Sequence, residues 1–96
     1  MIDKEILDKA IQTYGTESQL NMAVEECSEF IDAIMKFRRG RVGVQEVVTE
    51  IADVMIMMEQ MAIIFGGNSK IVECEVLRKM DRLRSRISAH KKEDGK

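Results

Sequence analysis

The feature that most constrains this chain is a long, largely apolar segment, residues 47–65, which is interrupted by the acids Glu50 and Asp53. Its apolar side chains recur at helical spacing, and further apolar residues cover most of the remaining helix surface. A helix that is apolar nearly all round is buried on most of its sides. Because a chain of 96 residues can build only one small domain, we expect a partner subunit to supply part of that burial. One continuous apolar stripe along this helix, which we call its seam, is predicted to consist of Val47, Ile51, Val54, Met58, Met61 and Phe65.

The composition predicts an all-α fold. Proline is absent, aromatic residues make up only 4% of the chain, and residues that favour helices dominate. Apolar periodicity predicts helices over residues 3–14, 16–39, 44–65 and 70–89. We expect a four-helix protomer that assembles into an oligomeric helical bundle, as a homodimer or a homotetramer. Residues 1–91 are predicted to form a single domain and residues 92–96 a frayed polar tail.

Local sequence signals predict where the second and fourth helices begin and which face the second helix buries. Thr16 followed by Gln19 fits the capping-box pattern, and Asn68 or Ser69 is suited to cap the last helix. The second helix is predicted to turn an apolar seam to the core and its acids to another side. This seam consists of Leu20, Val24, Cys27, Ile31 and Ile34.

Charge, hydropathy and cysteine usage argue against several classes of protein. The net charge of -2 gives no general attraction to nucleic-acid polymers or acidic membranes. No segment has the roughly 18 uninterrupted apolar residues that span a bilayer, and the first residues lack a signal-peptide pattern. Cys27 and Cys74 lack metal-ligand spacing and are expected to be reduced thiols. Together these features predict a cytoplasmic location.

Carboxylates on the second and third predicted helices carry the strongest functional signal. On a helix of about 3.6 residues per turn, Glu26 and Glu29 share one face, and Glu25 lies within about 100° of them. Glu50 and Asp53 likewise share a face of the next helix. Like charges this close destabilise a fold unless a cation lies between them. Oxygen ligands favour Mg²⁺ or Mn²⁺, and Cys27 lies on the apolar seam rather than with the acids, so the pattern suggests a metal site.

The same acids are also compatible with a solvated surface or, less well, with a di-iron centre. A solvated acidic stripe would account for the three acids of the second helix, but the helix that carries Glu50 and Asp53 has little solvent-facing surface to spare. Di-iron bundles pair acidic helices too, but they need a Glu-x-x-His motif, and the only histidine is His90 near the end of the chain.

Basic side chains on the fourth helix are the second signal. Lys79, Arg82 and Arg86 lie within about 60° of one another on a helix. They are either ordinary surface charges or, beside a metal site, ligands of a polyphosphate. Gln19 is similarly either a cap residue or a contact to a nucleotide. The basic turn at residues 38–43 is either a helix end whose cations complement the dipole or a mobile loop that reaches a phosphate.

The acidic motif has two parts, E-E-x-x-E at residues 25–29 and E-x-x-D at residues 50–53, separated by twenty residues. In the context EIADVMIM, it resembles the motif of the MazG-type all-α nucleoside triphosphate pyrophosphohydrolases. Gln19-Leu20 upstream and the basic stretch RKMDRLRSRI downstream extend the resemblance over most of residues 16–87. No clear base-selecting motif accompanies it.

The resemblance implies Mg²⁺-dependent hydrolysis of a nucleoside triphosphate between its α- and β-phosphates, giving a monophosphate and pyrophosphate. By likeness to the motif, the metal ligands would be Glu26, Glu29, Glu50 and Asp53. Glu25 would act in catalysis at the edge of the site, orienting water or a second ion. The substrate-binding residues would be Lys79, Arg82 and, in contact with the nucleotide, Gln19.

Two alternatives to this activity are a phosphoribosyl-ATP pyrophosphohydrolase and a non-catalytic module. The first enzyme is similar in size, fold and acidic motif. A helical oligomerisation or regulatory module would retain the acids without turnover. The sequence does not distinguish the base or the sugar of the substrate.

Overall fold

The computed structural model of the protein describes residues 1–94 as four helices. They are α1 (Lys4–Tyr14), α2 (Thr16–Arg38), α3 (Val44–Gly66) and α4 (Lys70–Asp94). Within this range no strand is formed, so the prediction of an all-α protomer with four helices is confirmed. Across the same residues, no helix combines the length and the apolar character needed to cross a membrane.

Capping groups and a single glycine define the first two helices. Asp3 begins α1, because its Oδ1 accepts hydrogen bonds from the backbone N–H groups of Glu5 and Ile6 at 3.0 and 3.4 Å. Gly15, at φ 88°, is the only residue between α1 and α2, and its carbonyl accepts from the Gln19 N–H at 3.1 Å. Gly15 therefore occupies the N-cap position. The prediction that Thr16 caps α2 is wrong, because so short a connection makes Thr16 the first helical residue.

Side chains also fix the starts of the last two helices. Glu46 Oε2 accepts from the Gly43 N–H at 3.0 Å, which stabilises the first turn of α3. The Ser69 carbonyl accepts from the Glu73 N–H at 2.9 Å, so Ser69, one of the two predicted candidates, occupies the N-cap position of α4. Asn68 Oδ1 accepts from the Lys70 N–H at 2.8 Å and so also stabilises the start of this helix.

The fourth helix is longer than the sequence predicted. It continues past Ala89 to Asp94, so the predicted polar tail is helical through Asp94, and residues 95–96 lie outside the described part of the chain. No glycine or proline interrupts residues 90–94. Lys91 and Lys92 lie in the last turn, where cations complement the helix dipole.

The main packing contact joins α2 to α3, which the short connection at residues 39–43 folds back on each other. The first helix packs on both of them, whereas α4 contacts only α3 among the described helices. The resulting core is small. Its buried apolar residues are Leu7, Ala23, Ala33, Met57 and Ala62, and its buried polar residues are Gln19, Gln60 and Ser69.

The face that α2 turns to α3 is not the one predicted. Val24 and Ile31, both in the predicted seam, are 67% and 63% exposed, while Gln19, Ala23 and Ala33 are buried. The prediction that the seam forms the protomer core is therefore wrong. Because α4 makes no contact with α2, it does not cover this seam, of which Leu20 and Cys27 alone are half-buried, and the face that carries Glu26 packs inward instead.

Much of the apolar surface of the protomer is uncovered. Every residue of α4 from 70 to 93 is exposed, and this includes apolar residues such as Val76, which is 51% exposed, and Leu83, which is 46% exposed. The Cα radius of gyration is 17.2 Å, whereas a compact domain of this length would have about 12.5 Å. The fourth helix thus projects from the rest of the protomer with its apolar side chains unburied.

Candidate metal centre

Three carboxylates meet where α2 and α3 face each other. Glu26 and Glu29 come from α2 and Glu50 from α3, and one oxygen of each lies within 4.8 Å of the others. The arrangement follows from helix periodicity, because Glu26 shares its face with the buried residues Ala23 and Ala33. Packing that face against α3 carries the acids inward with it.

Two of these acids lack hydrogen-bond partners for a buried oxygen. Glu26 and Glu50 are half-buried, and Glu29 is exposed. Among the described residues, neither Glu26 Oε2 nor Glu50 Oε2 has a partner, although both atoms are inaccessible to solvent. Buried polar atoms in native proteins are nearly always paired, so these two oxygens mark a place where a ligand or a proton is needed.

The electrostatic environment leads to the same conclusion. Burial raises the pKa of Glu26, and the charges of Asp53, Glu29 and Glu50 raise it further, together with a hydrogen bond to Glu29. Burial also raises the pKa of Glu50, with added contributions from the charges of Glu29 and Asp53. The environment of each acid therefore disfavours its negative charge, which a proton would remove and a bound cation would offset.

The other two acids of the motif lie at different distances from this cluster. Asp53 is half-buried on α3 and close enough to raise the pKa of Glu26 and Glu50, but it is not one of the three residues whose oxygens converge. Glu25 is exposed and also stands outside the converging group. The structure therefore brings Glu26, Glu29 and Glu50 together, with Asp53 beside them and Glu25 at the margin.

The donor set fits a hard divalent cation. All three converging ligand atoms are carboxylate oxygens from residues that lie on rigid helices. The buried oxygens without partners support this fit, since a cation at the cluster would offset the cost of burying two charged carboxylates. This chemistry suits Mg²⁺ or Mn²⁺ better than ions that prefer nitrogen or sulfur.

Two buried glutamines lie along the same helix pair. Gln19, a predicted substrate contact, is buried and stands seven residues before Glu26, about two helical turns away on the same face. Gln60 stands seven residues after Asp53, is also buried, and its Oε1 has no hydrogen-bond partner in the described part of the chain. Sequence reasoning missed Gln60, although its spacing from Asp53 was a usable signal.

The cations predicted to bind phosphate lie elsewhere in the protomer. Lys79 and Arg82 are exposed on α4, which makes no contact with α2. Their positive charges lie near Glu75 instead. The pKa of Glu75 is lowered chiefly by a hydrogen bond from Arg78 and by the Arg78 charge, and to a smaller extent by the charges of Lys79 and Arg82. Within one protomer, the structure does not bring Lys79 and Arg82 to the carboxylates.

A pocket of about 220 Å³ adjoins the carboxylate cluster on the side of the α2–α3 connection. Its lining includes Glu29 and Glu50 from the cluster and the cation Lys36, which sequence reasoning did not select. The complete lining is Glu29, Asp32, Ala33, Lys36, Val42, Glu46 and Glu50. A signal for Lys36 existed in the sequence, since it follows Glu29 by seven residues and so shares its helix face.

No family model, curated protein or solved structure matched this chain.

Proposed function

We propose that this protein is a Mg²⁺-dependent nucleoside triphosphate pyrophosphohydrolase of the MazG-like type. The observation that carries the proposal is the convergence of one oxygen each from Glu26, Glu29 and Glu50 within 4.8 Å. Two of these acids also have buried oxygens without partners and raised pKa values, which favours a bound cation. The two-part acidic motif at residues 25–29 and 50–53 supplies the link to phosphoanhydride hydrolysis.

In this proposal Glu26, Glu29 and Glu50 hold Mg²⁺, and Asp53 completes the ligand set from its adjacent position on α3. Mn²⁺ would be accepted by the same oxygen donors. The ion would supply Lewis acidity at a phosphoryl oxygen and would lower the pKa of water.

Glu25, exposed at the margin of the cluster, would accept a hydrogen bond from the attacking water and hold it in line with the α-phosphorus. The new bond joins the water oxygen to the α-phosphorus, and the bond from that phosphorus to the bridging oxygen breaks. The products are a nucleoside monophosphate and pyrophosphate, and the proton from water passes to solvent. Gln19, on the same face of α2, would bind the nucleoside part of the substrate.

We also propose that the active form is a homodimer or a homotetramer in a helical bundle. The exposed residues of the α2 seam and of α4, which is exposed from residue 70 to residue 93, give a protomer more apolar surface than a stable monomer leaves in water. Because α4 projects from its own protomer, Lys79 and Arg82 would reach the carboxylates of a partner subunit rather than those of their own chain.

The test is an assay of purified protein with Mg²⁺ and a panel of canonical, deoxy and modified nucleoside triphosphates, with separation of the products. We expect a monophosphate and pyrophosphate in equal amounts. Release of orthophosphate would overturn the assigned bond cleavage. Turnover of phosphoribosyl-ATP without turnover of any free triphosphate would identify the protein as a phosphoribosyl-ATP pyrophosphohydrolase instead.

Binding of the ion tests the non-catalytic alternative. The melting temperature of the protein should rise with Mg²⁺, because an ion that binds the folded state alone stabilises it. An oligomerisation or regulatory module with a vestigial acidic patch would show no Mg²⁺-dependent change in melting temperature and no turnover.

A further inference from the structure

Lys36 lines the pocket that adjoins the carboxylate cluster. Two other lining residues, Glu29 and Glu50, belong to the cluster itself, so a ligand bound at the carboxylate cluster would lie directly beside this pocket. Among the described residues that line it, Lys36 is the sole cation. A ligand that carries several negative charges and extends from the cluster into the pocket would therefore meet Lys36.

We propose that Lys36 binds the terminal phosphates of the substrate and of the pyrophosphate product. This inference rests on the proposed function, and it assigns the position of the polyphosphate within the site. The triphosphate runs from the carboxylates toward the connection between α2 and α3. The nucleoside lies in the opposite direction along α2, toward Gln19.

The present contacts of Lys36 leave it free to take up this role. Its Nζ lies 2.8 Å from Asp32 Oδ2, but the two side chains are 46% and 60% exposed, so the ion pair is weak. Lysine carries its charge on a flexible four-carbon stem, and a small rotation of that stem would move it from Asp32 to a phosphate. Asp32 would then be solvated at little cost.

The remaining acid that lines the pocket, Glu46, is hydrogen-bonded to the backbone through one of its oxygens. Glu46 Oε2 accepts the hydrogen bond from the Gly43 N–H at 3.0 Å, which directs this carboxylate to the start of α3. With Glu29 and Glu50 neutralised at the metal centre, Lys36 supplies the attraction for phosphate on this side of the site.

The decisive experiment measures steady-state kinetics of Lys36→Ala with the triphosphate that the wild type hydrolyses. We expect KM to rise roughly tenfold with a smaller change in kcat, because one charge-assisted contact to bound substrate is lost. Isothermal titration of Mg²⁺-pyrophosphate should show a similar loss of affinity. Lys36→Arg should recover most of both. Lys9→Ala, which removes an exposed lysine from α1, is the matched control and should leave KM unchanged.

Asp32→Asn separates phosphate binding from a purely structural ion pair. It removes the pair but leaves the lysine, so we expect a KM no higher than that of the wild type. An Asp32→Asn variant that raises KM as much as Lys36→Ala would overturn the proposal, and so would unchanged pyrophosphate affinity in Lys36→Ala. A wild-type protein that hydrolyses no triphosphate would instead refute the proposed function itself.

Discussion

Glu26 on α2 and Glu50 on α3 each direct one carboxylate oxygen into a space where the two atoms lie within 4.8 Å of each other. Each residue also has a buried oxygen that lacks a hydrogen-bond partner among the described residues. Acids this close are costly to keep ionised without a cation. This pair is therefore the part of the molecule where a metal would change both stability and chemistry.

Replacement of Glu50 by Gln should abolish turnover and leave the helical fold intact. The change keeps the size of the side chain but removes a ligand charge, so activity should fall at least about 100-fold, since lesser changes around metal sites already cost 10–100-fold. Pyrophosphate release measures the activity, and circular dichroism measures the helix content. Glu17→Gln, an exposed substitution in the first turn of α2, is the control and should remain active. An active Glu50→Gln variant would contradict the metal assignment.

Replacement of Glu26 by Gln should raise the melting temperature of the metal-free protein by a few degrees at neutral pH. The pKa of Glu26 is raised in the folded state, so its charge destabilises the fold at pH values above that raised pKa. As pH falls below the ordinary glutamate range, the carboxyl is protonated in both folded and unfolded states, and the difference between variant and wild type should vanish. Thermal melts in a chelator across the acidic to neutral range measure this.

When Mg²⁺ is added, we expect the Glu26→Gln variant to melt at a lower temperature than the wild type. The wild type should gain stability from the ion, whereas Glu26→Gln should gain much less because a ligand is missing. A variant that is less stable than the wild type in chelator at neutral pH would show that the cost assigned to the Glu26 charge is wrong.

A charge in the exposed seam of α2 should break the assembly. Val24 is 67% exposed in the protomer, and we expect it to be buried between subunits. Val24→Glu would place an unpaired carboxylate in that interface, so the protein should shift to monomers and melt at a lower temperature. Light scattering coupled to gel filtration measures the mass. Gln12→Glu adds a charge at an exposed position of α1, away from this seam, and should leave the mass unchanged.

Subunit mixing should reveal whether Lys79 acts across the interface. Glu50→Gln and Lys79→Ala should each be impaired as homo-oligomers. After denaturation and refolding of a 1:1 mixture, half of the dimers are mixed and one of their two sites is intact, so about a quarter of wild-type activity should return. If the carboxylates and Lys79 of one site came from the same chain, mixing would restore nothing.

Helix content was predictable from the sequence because it depends on local spacing. Glycines marked the ends of the helices, and the predicted range 44–65 differs by one residue from the observed Val44–Gly66. The extension of α4 to Asp94 was missed because the polar residues after Ala89 lack an apolar period, although nothing in them stops a helix.

The site was partly predictable for a similar reason. Periodicity alone brings Glu26 and Glu29 to one helix face, and the pairing of α2 with α3 then adds Glu50. Lys36 and Gln60 each stand seven residues from an acid of the motif, but that spacing alone does not separate them from other residues of the same face. The pocket beside Lys36 and the buried Gln60 oxygen without a partner exist only once the two helices are packed.

The sequence by itself determined four helices, the acids that share their faces, and an excess of apolar surface for so short a chain. Only the tertiary structure decided which face turns inward. The apolar seam that contains Val24 and Ile31 was the predicted core, yet the residues of α2 that are buried are Gln19, Ala23 and Ala33. Periodicity specifies which residues share a face, but it cannot specify which neighbour covers that face, because this depends on contacts between residues far apart in the chain.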